Sequence, residues 1–260
     1  MIEFDALRNY FPPMVQEQAT LIPYMIKELI QCQILEFLSH SPYVSTLSFI
    51  GGTNLRLVSQ IDRFSEDLDF DCKDMGRDEF LSLTDSVVDY LARLGYSVHA
   101  KEKESDALVA YRCSIYFPEL LFSLGLRGYR NARFMVKVEM QDQGFAYDTQ
   151  PVFIRRMGFY FPFPAPPMEV LTAMKLSALL SRAKGRDFYD ALFLLHRSDP
   201  CYGFLEQKCG IRGKEQLKAS LFELVERTDL KKKQQDFEHL LFDKRRSSSI
   251  LSFASFIGQW

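Results

Sequence analysis

Apolar residues between Met14 and His40 return at the three- and four-residue spacing of a helix. Pro23 lies inside that stretch and, lacking an amide donor, is expected to divide it into two helices. "STLSFIGGT" reads as a strand running into a tight turn at Gly51 and Gly52, with a helix predicted from near Asn54 carrying Leu55, Leu57 and Val58. "FSEDLDFDC" reads as a second strand. The pattern of "RDEFLSLTDSVVDYLARLG" predicts a helix stopped at Gly95. "YSVHAKEKESDALVAYRCSIYF" is then expected to form a hairpin looped through Lys101 to Asp106, and "RFMVKVEMQD" a further strand.

"GFYFPFPAPPME" holds Pro162, Pro164, Pro166 and Pro167 and reads as an extended, semi-rigid connector. Beyond it, "MEVLTAMKLSALLSRAKGRDFYDALFLLHRS" and "GKEQLKASLFELVERTDLKKKQQDFEHLLF" are helical in pattern with no convincing strand between them. The expected architecture is α+β: a mixed β-sheet domain with helices over residues 1–160, followed by a helical domain over 166–260.

A chain of 260 residues can support one large core or two modest ones. A net charge of −2 gives no overall attraction to nucleic acid, so any polyanion site must be a local patch. Lys231 to Lys233 and Lys244 to Arg246 are such patches, although runs of this kind are usually solvated helix faces. The five cysteines are scattered without a C-x-x-C pair, which argues against a disulfide framework or zinc site and fits a reducing cytosol. The acidic start "MIEFDALRNYFPP" does not resemble a signal peptide, and no apolar run reaches membrane length, so a cytoplasmic chain without membrane contact is expected.

Candidate chemistry gathers between residues 49 and 73. Alternation along a strand puts Ser65, Asp67, Asp69 and Asp71 on one face, opposite Leu68 and Phe70. Same-face neighbours sit roughly 6.6 Å apart, so two of these carboxylates can converge on one hard cation. Alone, D-x-D is more often a solvated acidic face. Here it follows a glycine turn into a helix start, where unbonded N–H groups and the helix dipole favour phosphate. On the strand at 133–142, Glu139 falls on the polar face with Arg133, Met135 and Lys137. It is the best third carboxylate, or else an ordinary strand glutamate.

Downstream, on a continuous helix, Arg182, Arg186 and Asp190 lie at roughly −20°, +20° and +60° from Lys175, one polar stripe. Gly185 weakens that continuity. The plain reading is a surface Arg186–Asp190 pair worth about 0.3 to 0.5 kcal/mol. With the carboxylate strand upstream, a lysine and two arginines also fit the charge of a triphosphate. Arg56 and Arg63 belong to this argument less securely, since either can pair with acids of the strand.

"GGTNLRL" followed by "RFSEDLDF" resembles the signature of the AbiEii/AbiGii toxin family, in the DNA-polymerase-beta-like nucleotidyltransferase superfamily. Fourteen residues separate Gly52 from Asp67, similar to this family's spacing. "KLSALLSRAKGRDFYD" resembles its downstream pattern, with Lys175, Ala178, Arg182, Arg186, Asp187 and Asp190 at the matching positions. Asn54 and Gln60 stand where relatives often carry small residues. The likeness covers about residues 15 to 200.

The resemblance implies an enzyme that uses magnesium, or manganese in its place, to move a nucleoside monophosphate from an NTP onto an acceptor. Asp67 and Asp69 would then be metal ligands, joined by Glu139 or a second ion that helps activate the acceptor hydroxyl. Gly51, Gly52 and Thr53 would hold phosphates, with Arg56, Ser65, Arg182 and Arg186 as further nucleotide contacts. Lys175 would meet the triphosphate, and Asp190 would orient either that lysine or the acceptor. The leading expectation is transfer to RNA, at the 3′ end of tRNA, by the toxin of a toxin–antitoxin or phage-defence pair with a cognate antitoxin. The alternatives are nucleotidylation of a protein or small molecule, and a nucleotide-binding regulator without turnover.

Overall fold

The computed structural model describes residues 4–102, 110–126 and 133–260. The chain divides into two compact units. Unit 1 holds Met1–Gln60, Phe64–Gly144 and Thr149–Ala165; unit 2 holds Ile61–Arg63, Phe145–Asp148 and Pro166–Trp260.

Unit 1 begins with short helices α1 (Phe4–Arg8) and α2 (Pro13–Gln16), then the long α3 (Ile22–Ser39). Pro23 sits in the first turn of α3, where its missing N–H would have had no helical partner, so the long helix starts beside the proline instead of being cut by it. β1 (Leu47–Ile50) runs directly into α4 (Gly51–Leu57). That helix starts three residues ahead of the predicted position near Asn54. Gly51, at φ +80°, turns the chain at once, and Asn54 Nδ2 donates to Phe49 O at 2.7 Å, tying the helix back to the strand.

The remaining elements of unit 1 are β2 (Asp67–Cys72), α5 (Arg77–Arg93), β3 (His99–Glu102), β4 (Tyr111–Tyr116), α6 (Leu120–Ser123), β5 (Met135–Gln141), β6 (Gln150–Arg156) and β7 (Phe159–Ala165). Five strands form one sheet in the order β1-β2-β5-β4-β3, with β2 and β5 parallel and the other pairs antiparallel. β3 and β4 form the expected hairpin, though residues 103–106 of its expected loop lie outside the described residues.

Leu68, Phe70, Val136, Val138 and Met140 are buried on the sheet face covered by α3 and α5, while Asp67, Asp69, Lys137 and Glu139 stay half-buried on the other. Phe49, Phe70 and Phe163 meet with ring centroids 5.7 to 5.9 Å apart and join β1, β2 and β7 in one core.

The proline-rich stretch is not a connector. Residues 159–165 form β7, antiparallel to β6, with Phe161 and Phe163 buried and Pro162 exposed. Pro162 lies opposite Phe153 and Pro164 opposite Pro151. At alternate positions of an antiparallel pair the N–H points away from the partner, so proline costs no ladder bond there.

Unit 2 is helical: α7 (Met168–Arg182), α8 (Gly185–Leu195), α9 (Tyr202–Cys209), α10 (Lys214–Glu226), α11 (Leu230–Gln235) and α12 (Phe253–Gln259). α7 and α8 are not continuous, so the stripe computed for a single helix does not form. The chain leaves α7 at Arg182, and Ala183 takes φ +47°. α8 then packs its first residue on α11; a Cβ on Gly185 would lie 1.9 Å from the Lys233 carbonyl oxygen. Only glycine allows that approach.

Candidate active site

Parity and a glycine together position the carboxylates of unit 1. Asp67 and Asp69 are two apart on β2, and in the parallel register they stand beside Lys137 and Glu139 of β5. A Cβ on Gly51 would lie 2.0 Å from Asp69 Oδ2, so the glycine turn is packed directly on that carboxylate. Thr53, fully buried, donates its hydroxyl to the Asp67 carbonyl oxygen and fastens α4 to the start of β2. The turn and the carboxylate pair are therefore packed and hydrogen-bonded together.

Neighbours divide the charge. Lys137 Nζ lies 3.7 Å from Asp67 Oδ1, and Arg112 Nε donates to Glu139 at 3.2 Å. Asp71 takes another role. It is 2% exposed and accepts from the Gln143 amide at 2.8 Å, which fixes the chain just after β5. Ser65 is buried before β2 begins, and its carbonyl accepts from Gln31 Nε2 at 3.2 Å.

Arg56 reaches back to Glu28 of α3. It is 7% exposed and forms two hydrogen bonds to Glu28, at 2.8 and 3.2 Å, while Arg156 binds the same carboxylate at 2.6 Å. Glu28 is 1% exposed and holds two guanidiniums inside unit 1. Glu28 is one anchor of the Arg56 guanidinium within unit 1.

In unit 2 the downstream motif resolves into two buried carboxylates with different partners. Asp190, wholly buried, receives Arg63 Nε and Nη2 at 2.7 Å each and Lys175 Nζ at 3.0 Å. Burial alone would raise its pKa, but Arg63 first and Lys175 second hold it below the ordinary 3.8. Asp187, also wholly buried, accepts Arg182 through two hydrogen bonds at 2.8 and 2.9 Å and the Lys184 amide at 3.2 Å, closing the α7–α8 junction. The surface pair Arg186–Asp190 therefore does not form. Arg186 has no hydrogen-bond or ion-pair partner among the described residues.

Sequence reasoning left Arg63 without a defined role. Its signal was position: it lies in the stretch between glycine turn and carboxylate strand. Residues 61–63 belong to unit 2. Asp62 accepts from Tyr189 Oη at 2.7 Å and from Arg246, and Arg63 bridges to Leu241.

The donor chemistry suits a hard divalent cation: Asp67 and Asp69 offer oxygen ligands only, on one face, with neither carboxylate wholly buried. Among the described residues no group of three or more His, Cys, Asp and Glu side chains could hold an ion. Glu139 lies next to Asp69 in the register but is engaged by Arg112.

Unit 1 is a mixed sheet with an alternating carboxylate pair packed on a glycine turn, and unit 2 is helical. The same fold occurs in MenT4, a nucleotidyltransferase toxin of Mycobacterium tuberculosis, with a TM-score of 0.64 at 16% identity over 100% of this chain and 91% of that one. It also occurs in JHP933 of Helicobacter pylori, with a TM-score of 0.54 at 18% identity over 91% and 92% of the two chains. No curated protein sequence matches. The family model for the nucleotidyl transferase AbiEii toxin of type IV toxin–antitoxin systems matches residues 33–248, and the chain belongs to that family. It is accordingly a nucleotidyltransferase toxin, and its family implies an NTP substrate and a cognate antitoxin. No described helix is long and apolar enough to cross a membrane.

Proposed function

We propose that the chain transfers a nucleoside monophosphate from an NTP to RNA, at the 3′ end of tRNA, with magnesium held by Asp67 and Asp69. The observation that carries this reading is the packing of Gly51 on Asp69, which places a backbone without side chain against the carboxylate pair. Magnesium bound there would supply charge neutralisation at the α-phosphate and the leaving pyrophosphate. Gly51 and Gly52 let phosphate oxygens approach the main chain beside the ion. Lys175 is the residue expected to meet the triphosphate, and Arg186 offers a guanidinium not engaged by any described carboxylate. Arg182 serves the α7–α8 junction through Asp187. Glu139 accepts the proton of the acceptor hydroxyl once Arg112 yields it. Blocking tRNA ends in the cytoplasm would arrest growth, which suits a toxin used in phage defence.

The test is incubation of the full chain with each α-labelled ribonucleoside triphosphate, magnesium and total RNA in cell extract. Label in tRNA, lost when magnesium is chelated, is the expected result. Label confined to protein or small molecules would overturn the RNA acceptor, and triphosphate binding without transfer would overturn the enzyme reading.

A further inference from the structure

We propose that Arg63 is a positioning residue which, by engaging both oxygens of Asp190, leaves Lys175 with uncompensated positive charge for the triphosphate. The inference rests on the reading that Lys175 binds triphosphate, and it adds a residue from outside the downstream motif.

Asp190 has one negative charge and two cationic partners, so the Arg63–Asp190–Lys175 cluster carries a net charge of about +1. The two cations are not equivalent. Arg63 meets the carboxylate fork to fork, with Nε on Oδ1 and Nη2 on Oδ2, and is 1% exposed. Lys175 has a single hydrogen bond, to Oδ2, and its other two Nζ donors meet no protein acceptor among the described residues. Arg63 thus consumes most of the acceptor capacity of Asp190, and Lys175 is aimed by that carboxylate without being neutralised by it.

Arg63 is also fixed independently of any ligand. Asp62 beside it is bonded to Tyr189, its carbonyl accepts from the Phe242 amide at 3.2 Å, and Arg63 itself bridges to Leu241. Without the guanidinium, Asp190 and Lys175 would form a closed, neutral ion pair. A triphosphate would then have to break that pair before gaining the ammonium.

Calorimetric binding of ATP, GTP, CTP and UTP with magnesium tests this on the full chain, comparing wild type with R63Q, R63K, the double variant R63Q/D190N, and K175M. R63Q keeps a hydrogen-bond donor and removes the charge; affinity for the preferred triphosphate should fall about tenfold, with a weaker salt dependence of binding. R63K keeps the charge and should stay within about threefold of wild type. R63Q/D190N restores a net charge of about +1 on Lys175 alone and should recover most of the loss.

Folded R63Q that binds like wild type, or a double variant no better than R63Q, would overturn the proposal. If R63Q does not fold, R63K decides, and a tenfold loss there counts against it. K175M binding as tightly as wild type, or no triphosphate binding by wild type, would instead bring down the underlying reading, and this inference with it.

Discussion

Gly51 lies so close to Asp69 that a Cβ on the glycine would fall 2.0 Å from the carboxylate oxygen Oδ2. Gly51 also holds φ +80°, a region where side chains cost about 1 to 3 kcal/mol. Alanine at position 51 therefore meets two obstacles, and the carboxylate is the softer part. G51A should lose nucleotidyl transfer by at least about 100-fold, in keeping with a misplaced catalytic group, while destabilising unit 1 by about 1 to 3 kcal/mol. Labelled-nucleotide transfer and urea unfolding measured side by side check this. An active G51A enzyme would separate the turn from the chemistry.

Asp69 and Asp71 share a strand face by parity, but Asp71 is buried on the Gln143 amide whereas Asp69 is half-buried against Gly51, so they should respond differently to the same change. D69N removes a proposed metal ligand and should abolish transfer, by about 1,000-fold or more, with the fold intact. D71N keeps a carbonyl that can still accept from the Gln143 amide, so it should cost about 1 kcal/mol of stability and leave transfer largely unchanged. Equal losses of transfer in the two variants would contradict the division.

The difference between these aspartates shows how far local pattern reaches. A period of two is a local property, so the shared face of Asp67 and Asp69 and the alternation of β5 were readable from adjacent residues. That Asp71 accepts from the Gln143 amide, 72 residues away, is something no local rule supplies. β7 was missed for a related reason. Proline opposes strand formation unless its nitrogen faces away from the partner, which only the β6 register reveals. Likewise, the helical stripe assumed a continuous helix, whereas the close approach of Lys233 to Gly185 and the turn at Ala183 divide it. The partners of Arg56 and Arg63, 28 and 127 residues away, were beyond any periodicity.

Glu28 stands 1% exposed between Arg56 and Arg156. Removing its charge leaves two guanidiniums facing one another in the interior. E28Q should lower stability by about 3 to 5 kcal/mol, the range for breaking a buried ion pair from one side. Chemical unfolding gives the number directly. A loss below about 1 kcal/mol would mean the arginines find other acceptors.

Asp190 makes the folded state sensitive to acid in a defined direction. Its folded pKa lies below the ordinary 3.8, because Arg63 and Lys175 outweigh the effect of burial. A lowered folded value means the unfolded chain takes up the proton first. The stabilisation is therefore complete well above pH 3.8 and drains away as pH falls through 3.8 toward the folded value. D190N has no such titration and takes from two buried cations the carboxylate they share, so near neutrality it should be about 3 to 5 kcal/mol less stable than wild type. That gap should stay constant from pH 7 to about pH 5 and narrow below it as the unfolded wild-type chain takes up the proton at Asp190 that the folded chain resists. Urea unfolding of both proteins across this range reads the gap at each pH. A difference that stayed constant down to pH 3 would mean Asp190 does not carry the charge that Arg63 and Lys175 are placed to meet.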